Sequence, residues 1–253
     1  MIPHRQRLDV LRREIQLFQD TSAELGYRDL SVETRCPGWT VRDQVAHLAD
    51  TDEVAADTVR EGPRAFARVV HEFPTPEAFT RAGCDRGRDM TLADLREWSA
   101  AASQSCVAAL SDCIGTERVR WGFGMQATHL VMGRTMEYWT HHSDIRTALG
   151  MSGSGSVEGA ICVAELSLYS VRYALAKARV TVERWPDVRL ILVDEDSGRV
   201  HSLGKGDAAE LVSGSLQSWA LLAAGRRNPL LERSFDFEGE YARLFIQTAR
   251  AYL

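Results

Sequence analysis

Four stretches that read as long helices come before a Gly/Ser-rich segment, GMSGSGS, at 150–156. From Arg7 to about Leu25, apolar Leu8, Leu11, Ile15 and Phe18 recur in threes and fours, the rhythm of one helix face. Gly26 follows, a residue suited to the left-handed conformation on which helices often finish. Pro37 and Gly38 in CPGW predict a turn, after which Thr40 is placed to cap a second helix. Its hydroxyl reaches the backbone N–H of Asp43, and the Asp43 carboxylate reaches back in a shorter capping box. Val41, Val45, Leu48 and Ala49 give that helix an apolar side, and His47 sits among them. A third helix is expected from Leu92 to about Cys113 and a fourth from Gln126 to Leu149, stopped by Gly150. Between the second and third, residues 61–90 are rich in Gly, Pro and charge and read as a long connection with a short helix near Pro63–Val70.

The second part of the chain is mixed. A helix is expected from Val157 to Ala178, and beyond Trp185 the pattern changes. VRLILVD at 188–194 is a β-type apolar run, GRVHSLG at 198–204 alternates, and Asp194–Gly198 between them reads as a hairpin turn. A helix from Asp207 to Ala224, a short strand at 235–239 and a closing helix follow. The order, helices first and then a smaller mixed segment, predicts an α+β chain with domains at 1–150 and 151–253.

Composition excludes several function classes. A formal charge of −5 gives no support to a nucleic-acid partner, which would call for a basic face. The charged, amphipathic N-terminus lacks the apolar core of a signal peptide, and no apolar run approaches the roughly 18 residues of a membrane span. Five scattered cysteines without a C-x-x-C pair read as reduced thiols, so a cytoplasmic protein with no membrane partner is expected. Monomer and homodimer both stay open.

Glu137 and His141 stand four residues apart on the fourth helix, about one turn along one face. With His47 from another helix they would make a set of two imidazoles and a carboxylate, which suits Zn²⁺ or another borderline divalent ion and leaves a position open. His142 is the poorer candidate, because five residues rotate it away from Glu137. Asp144 lies three residues after His141 and could orient a ligand histidine. Spacing alone leaves another reading: a lone histidine on an apolar face is more often a hydrogen-bonded core residue, and Glu-x-x-x-His is a frequent helix spacing. Met132, Met136, Tyr138 and Trp139 read as core, and Cys36 as structural or incidental.

CPGWTVRDQVAHLADTDE (36–53) resembles the helix-two signature of the mycothiol-dependent maleylpyruvate isomerase group, and GRTMEYWTHHSDIRTALG (133–150) resembles the same group's Glu-x-x-x-His-x-x-Asp segment. That group belongs to the DinB-like superfamily of metal-binding four-helix bundles. The wording around His47 is similar also to an actinobacterial subgroup described as metal-binding. The resemblance implies a DinB-like four-helix bundle followed by a small α/β sterol-carrier-like C-terminal domain. It implies metal ligands at His47, Glu137 and His141, with Asp144 supporting the cofactor site. In GDAAELVSGSLQSWALLAAGRR (206–227), Arg226 matches an arginine that the family uses near its active site, where a planar multi-donor cation would hold a thiol or substrate carboxylate. Paired arginines at a helix C-terminus also complement its dipole, and Arg227 is the second candidate.

The resemblance further implies mycothiol as cosubstrate, bound through its sulfur to Zn²⁺ or another divalent metal, with the thiolate adding to the activated double bond of a small electrophilic metabolite. Elimination would make the protein an isomerase; retention of the adduct would make it a thiol transferase. Two alternatives stand beside this: a non-catalytic metal- or ligand-binding protein, and a hydrolase using metal-bound hydroxide.

Overall fold

Side-chain caps decide where two of the long helices start. In the computed structural model, which describes residues 2–122, 124–153, 155–181 and 186–251, the Asp43 carboxylate accepts from the Thr40 N–H at 2.8 Å, and Thr40 Oγ1 accepts from the Asp43 N–H at 3.4 Å. The expected capping box is present, and Thr91 and Asp94 form a second one. Each box supplies partners to first-turn N–H groups that no helical carbonyl can reach.

The backbone divides into two compact units, Met1–Gly155 and Ser156–Leu253. The first contains α1 (His4–Glu24), α2 (Val41–Arg60), α3 (Phe66–Val69), α4 (Pro76–Arg86), α5 (Leu92–Ser111), an antiparallel pair of short strands β1 (Arg118–Val119) and β2 (Met125–Gln126), and α6 (Ala127–Ala148). The helices α1 and α2 each pack on both α5 and α6, which closes a ring of four. Leu11 and Phe18, Val45 and Leu48, Leu95 and Leu110, and Leu130 and Tyr138 fill its core. Each such fully buried side chain contributes roughly 1.5–3 kcal/mol of transfer free energy.

Two expectations for this unit change. Gly26 is extended (φ −91°, ψ 167°) rather than left-handed, and α1 ends at Glu24. Residues 61–90 hold the 11-residue α4 as well as the short α3, where only a short helix near 63–70 was expected. The start signal for α4 is ordinary: Thr75 Oγ1 accepts from the Ala78 N–H at 3.1 Å, and Pro76 occupies the first turn. Its glycines, which suggested a loop, let it lie close on α2. A Cβ added at Gly83 would come 2.7 Å from the Asp50 carboxylate, and one at Gly87 2.6 Å from the Ala46 methyl.

Charge is buried between α2 and α6. Asp52 and Arg134 are almost wholly excluded from solvent, and Arg134 Nε donates to Asp52 Oδ1 at 2.8 Å. The Tyr138 hydroxyl donates to the other carboxylate oxygen at 2.6 Å. Burial would lower the Arg134 guanidinium, but the Asp52 charge, followed by that of Glu137, raises it above its ordinary value.

The second unit contains α7 (Val157–Tyr169), α8 (Val171–Lys177), β3 (Val188–Val193), β4 (Val200–Gly204), β5 (Glu210–Ser215), α9 (Leu216–Ala223), β6 (Asp236–Glu238) and α10 (Glu240–Thr248). The sheet runs β4-β3-β5-β6, with β3 antiparallel to β4 and parallel to β5, and β5 antiparallel to β6. Val188, Leu190 and Leu192 alternate into the core, where Trp219 of α9 packs against Phe235 and against Phe245 of α10. The helix expected over Val157–Ala178 is broken at Ser170 into α7 and α8. The one expected over Asp207–Ala224 is a strand and a helix. Val212 has Leu190 of β3 on one side and Phe237 of β6 on the other, so sheet pairing overrides the helical reading. Gly214 accommodates the Phe235 ring, 2.5 Å from where a Cβ would lie, and Ser215 Oγ caps α9 by accepting from the Ser218 N–H at 3.2 Å. Trp185, where the pattern was expected to change, lies outside the described residues.

Replacing Arg134 by Met leaves the Asp52 carboxylate buried without a cation. Such uncompensated charge costs about 3–5 kcal/mol, so urea unfolding of R134M should show a loss of that size, and an unchanged midpoint would contradict the buried pair.

Candidate metal centre

The turn before α2 and the facing sides of α2 and α6 supply the side chains of the site. The Trp39 N–H donates to the Cys36 carbonyl at 3.0 Å, and Gly38 takes φ +74°, the positive value that the third residue of a Pro-Gly type II turn requires. The turn delivers Trp39 to the start of α2. From α2 comes His47, from α6 Glu137 and, one turn on, His141.

The three expected ligands meet. His47 Nε2 and His141 Nε2 each lie 3.1 Å from the same oxygen, Glu137 Oε2, and the three donor atoms all fall within 4.8 Å of one another. Two ligands about 2.1 Å from a shared zinc ion are themselves separated by about 3.0–3.4 Å, for octahedral to tetrahedral angles. The two separations to Glu137 match, and two imidazoles with one carboxylate are a donor set that such an ion prefers. The residues present therefore fit a borderline divalent cation. The imidazoles are nearly buried, whereas 25% of the Glu137 side-chain surface stays accessible, so the cluster is reachable from solvent on the carboxylate side.

Electrostatics agree with this geometry. Burial by itself raises the Glu137 carboxyl, but hydrogen bonds from His141 and then His47, with their charges, outweigh it and hold the group well below the usual carboxylate range. It is an anion through the physiological range, as a ligand must be.

Around the cluster lie two residues that spacing did not single out. The Trp39 ring lies nearly parallel to the His141 imidazole (centroids 5.8 Å apart, planes 10° apart) and meets His47 edge-on at 5.0 Å. Gln44, one turn before His47 and fully buried, accepts through Oε1 from His141 Nδ1. Its amide nitrogen faces Thr34 Oγ1 at 2.6 Å and Asp144 Oδ2 at 3.4 Å. Asp144 was expected to orient a histidine; its Oδ2 stands 3.7 Å from His141 Nδ1, beyond a hydrogen bond, and Gln44 occupies the nearer position. Cys36 Sγ donates to that same Oδ2 at 3.7 Å. His142 faces α1, where its Nε2 lies 2.8 Å from Thr21 Oγ1, and burial followed by the Arg146 charge pushes it down to about 4.

Arg226 belongs to the second unit. Gly225 (φ +74°) closes α9, the Arg226 N–H donates to the Leu221 carbonyl at 2.7 Å, and Arg226 Nη1 donates to the Ala224 carbonyl at 2.9 Å. This is a glycine-closed helix end of the Schellman type. Arg227 Nη1 instead pairs with Glu232 at 2.8 Å.

The chain is similar to several known proteins. Over 220 residues the chain is 26% identical to two uncharacterised proteins of Mycobacterium tuberculosis, from strains CDC 1551 and H37Rv, a stretch covering 87% of this chain and 84% of each relative. The crystal structure of the mycothiol-dependent maleylpyruvate isomerase superposes with a TM-score of 0.58 at 17% identity, over 93% of both chains. A histidine-to-alanine mutant of that enzyme gives 0.58 at 16% identity over the same shares; at these identities the likeness is one of fold. The family model described as mycothiol maleylpyruvate isomerase N-terminal domain matches residues 11–146, more than half of the chain and a span that includes His47, Glu137 and His141. The chain therefore belongs to the family that this domain defines.

Proposed function

We infer that this protein is a metal-dependent enzyme that uses a low-molecular-weight thiol, mycothiol, as an isomerase or S-transferase acting on a small electrophilic metabolite. The observation that carries the reading is the convergence of His47 Nε2, His141 Nε2 and Glu137 Oε2 in a cluster with one accessible side, in a chain of this family. A divalent ion such as Zn²⁺, held by those three residues, would lower the pKa of a thiol bound to it and so supply thiolate near neutral pH.

The chain's own residues divide the remaining work. Glu137 offers one negative charge against the two of a divalent cation, so the site keeps a net positive charge that favours an anionic sulfur. Trp39 walls one side of both imidazoles with an apolar, partly exposed surface suited to excluding water. Arg226, always charged and planar, binds a carboxylate of the thiol or of the electrophile. The nucleophile in this reading is the external thiol; among the chain's own cysteines, burial, and next the Asp43 charge, push the Cys84 thiol up to about 12, and burial raises Cys106 and Cys113 as well. The thiol sulfur forms a bond to one carbon of an activated double bond. The double-bond electrons move onto the activating group; rotation about the resulting single bond and expulsion of the same thiolate give the isomer, while uptake of a proton from water with the sulfur retained gives a conjugate. Among the described residues no helix is long and apolar enough to cross a membrane.

Elemental analysis checks the ligand set: purified wild type should carry about one divalent ion per chain, with His47→Ala and His141→Ala largely metal-free. Full occupancy in both variants would refute the site. Calorimetry with mycothiol checks the thiol, and absence of binding to the metal-loaded protein would favour a metal-hydroxide hydrolase. For Arg226→Ala, loss of a charge-assisted pair worth about 1.5–3 kcal/mol predicts thiol or substrate binding weakened about tenfold to a hundredfold. Arg227→Ala should leave binding near wild type.

A further inference from the structure

Gln44 has no part in the ligand set, yet it is buried to 0% exposure at the junction of α2, α6 and the loop before α2. Each of its amide atoms faces one kind of partner. The Asp144 carboxylate and the Thr34 hydroxyl oxygen lie 3.4 and 2.6 Å from Nε2, and a carboxylate can only accept. The Gln44 NH₂ must therefore point to Asp144 and Thr34, which turns the carbonyl, Oε1, toward His141 Nδ1. A carbonyl in turn can only accept, so the nitrogen facing it must carry a proton. Thr34 is itself anchored, its Oγ1 donating to the Trp39 carbonyl at 3.0 Å. Cys36, from the same loop, adds an S–H donor to Asp144.

We propose that Gln44 is a positioning residue, which keeps a proton on His141 Nδ1, so that Nε2, once it gives up the proton it shares with Glu137, is the nitrogen available to the metal. Asp144 acts one step further out, by preventing the Gln44 amide from turning over. A flipped amide would aim NH₂ at Nδ1 and would leave only the nitrogen that faces Glu137 able to carry a proton. His47 has no equivalent: its Nδ1 is buried without a hydrogen-bond partner among the described residues. One histidine is thus held by an oriented amide, and the other by the Trp39 edge at 5.0 Å and by Glu137.

The inference rests on the metal reading for its consequence and not for its geometry, and the test separates the two. Nitrogen-15 NMR of the metal-free wild type, with His141 assigned by mutation, reads which ring nitrogen carries the proton. A proton on Nδ1 is expected, and its absence overturns the proposal whether or not any variant folds. In Gln44→Met, which keeps the length and removes both amide groups, the Nδ1 proton should give way to the Nε2–H form. If Nδ1 stays protonated, Asp144 or another group sets the tautomer and the proposal fails. Zinc affinity, measured by competition with a chromophoric chelator, should fall about tenfold to a hundredfold in Gln44→Met, the usual cost of losing such an outer partner. Equal affinity in wild type and variant would overturn the positioning role. Absence of zinc binding by the wild type would refute the metal reading alone, leaving the tautomer measurement to decide on Gln44.

Discussion

A seam of buried polar groups between α2 and α6 sets the register on which the rest of the helical unit depends. It has three rungs, crossed in antiparallel order: Gln44 with His141 and Asp144, His47 with Glu137, and Asp52 with Arg134 and Tyr138. Apolar contacts alone tolerate sliding of one helix along another, because Leu and Val are satisfied by many neighbours. A buried carboxylate or guanidinium is not, since removal from its partner leaves desolvated charge. Shifting α6 by one residue would break all three rungs together, so the seam selects one packing from the many that the core would accept.

The middle rung differs from the other two. Asp52 has its cation and its hydroxyl donor, and Gln44 has partners for both amide ends, so those rungs are complete as they stand. Glu137 Oε2 instead receives two imidazole nitrogens at one oxygen and keeps part of its side chain accessible. Closed structural rungs on either side hold an open one in place. This is the condition for a preorganised site, in which the ligating atoms are fixed before anything binds and little ordering entropy is left to be lost. Arg134, one turn before Glu137 on α6, also adds a buried positive charge whose field supports the anionic form of Glu137.

The parts legible in the sequence were those governed by local rules. Thr40 caps its helix because a hydroxyl can reach an N–H three residues on, whatever lies around it. Glu137 and His141 share a face because helical periodicity puts them there. His47 joined them on the strength of flanking wording, since nothing in its spacing connects it to a helix 90 residues away. Local rules also misled. Gly83 and Gly87 read as loop residues, but they are small because α4 lies close on α2. The stretch from Asp207 to Ala224 read as one helix, because its alanines and leucines keep a helical rhythm, yet Val212 pairs on both sides within the sheet. Short apolar segments are ambiguous between strand and helix until their partners exist.

By itself, then, the sequence determined the long helices, the capped start of the second, the strand pair β3–β4 and the two histidines and one glutamate that the structure brings together. These follow from backbone hydrogen bonding and side-chain periodicity within a few turns of chain. Only the tertiary structure decided that His47 and His141 meet at one oxygen of Glu137, that Trp39 and Gln44 flank them, and that the Gln44 amide lies nearer to His141 than Asp144 does. Those facts depend on which helix lies beside which and in what register, and register is a property of the buried polar seam between two helices, not of either helix alone.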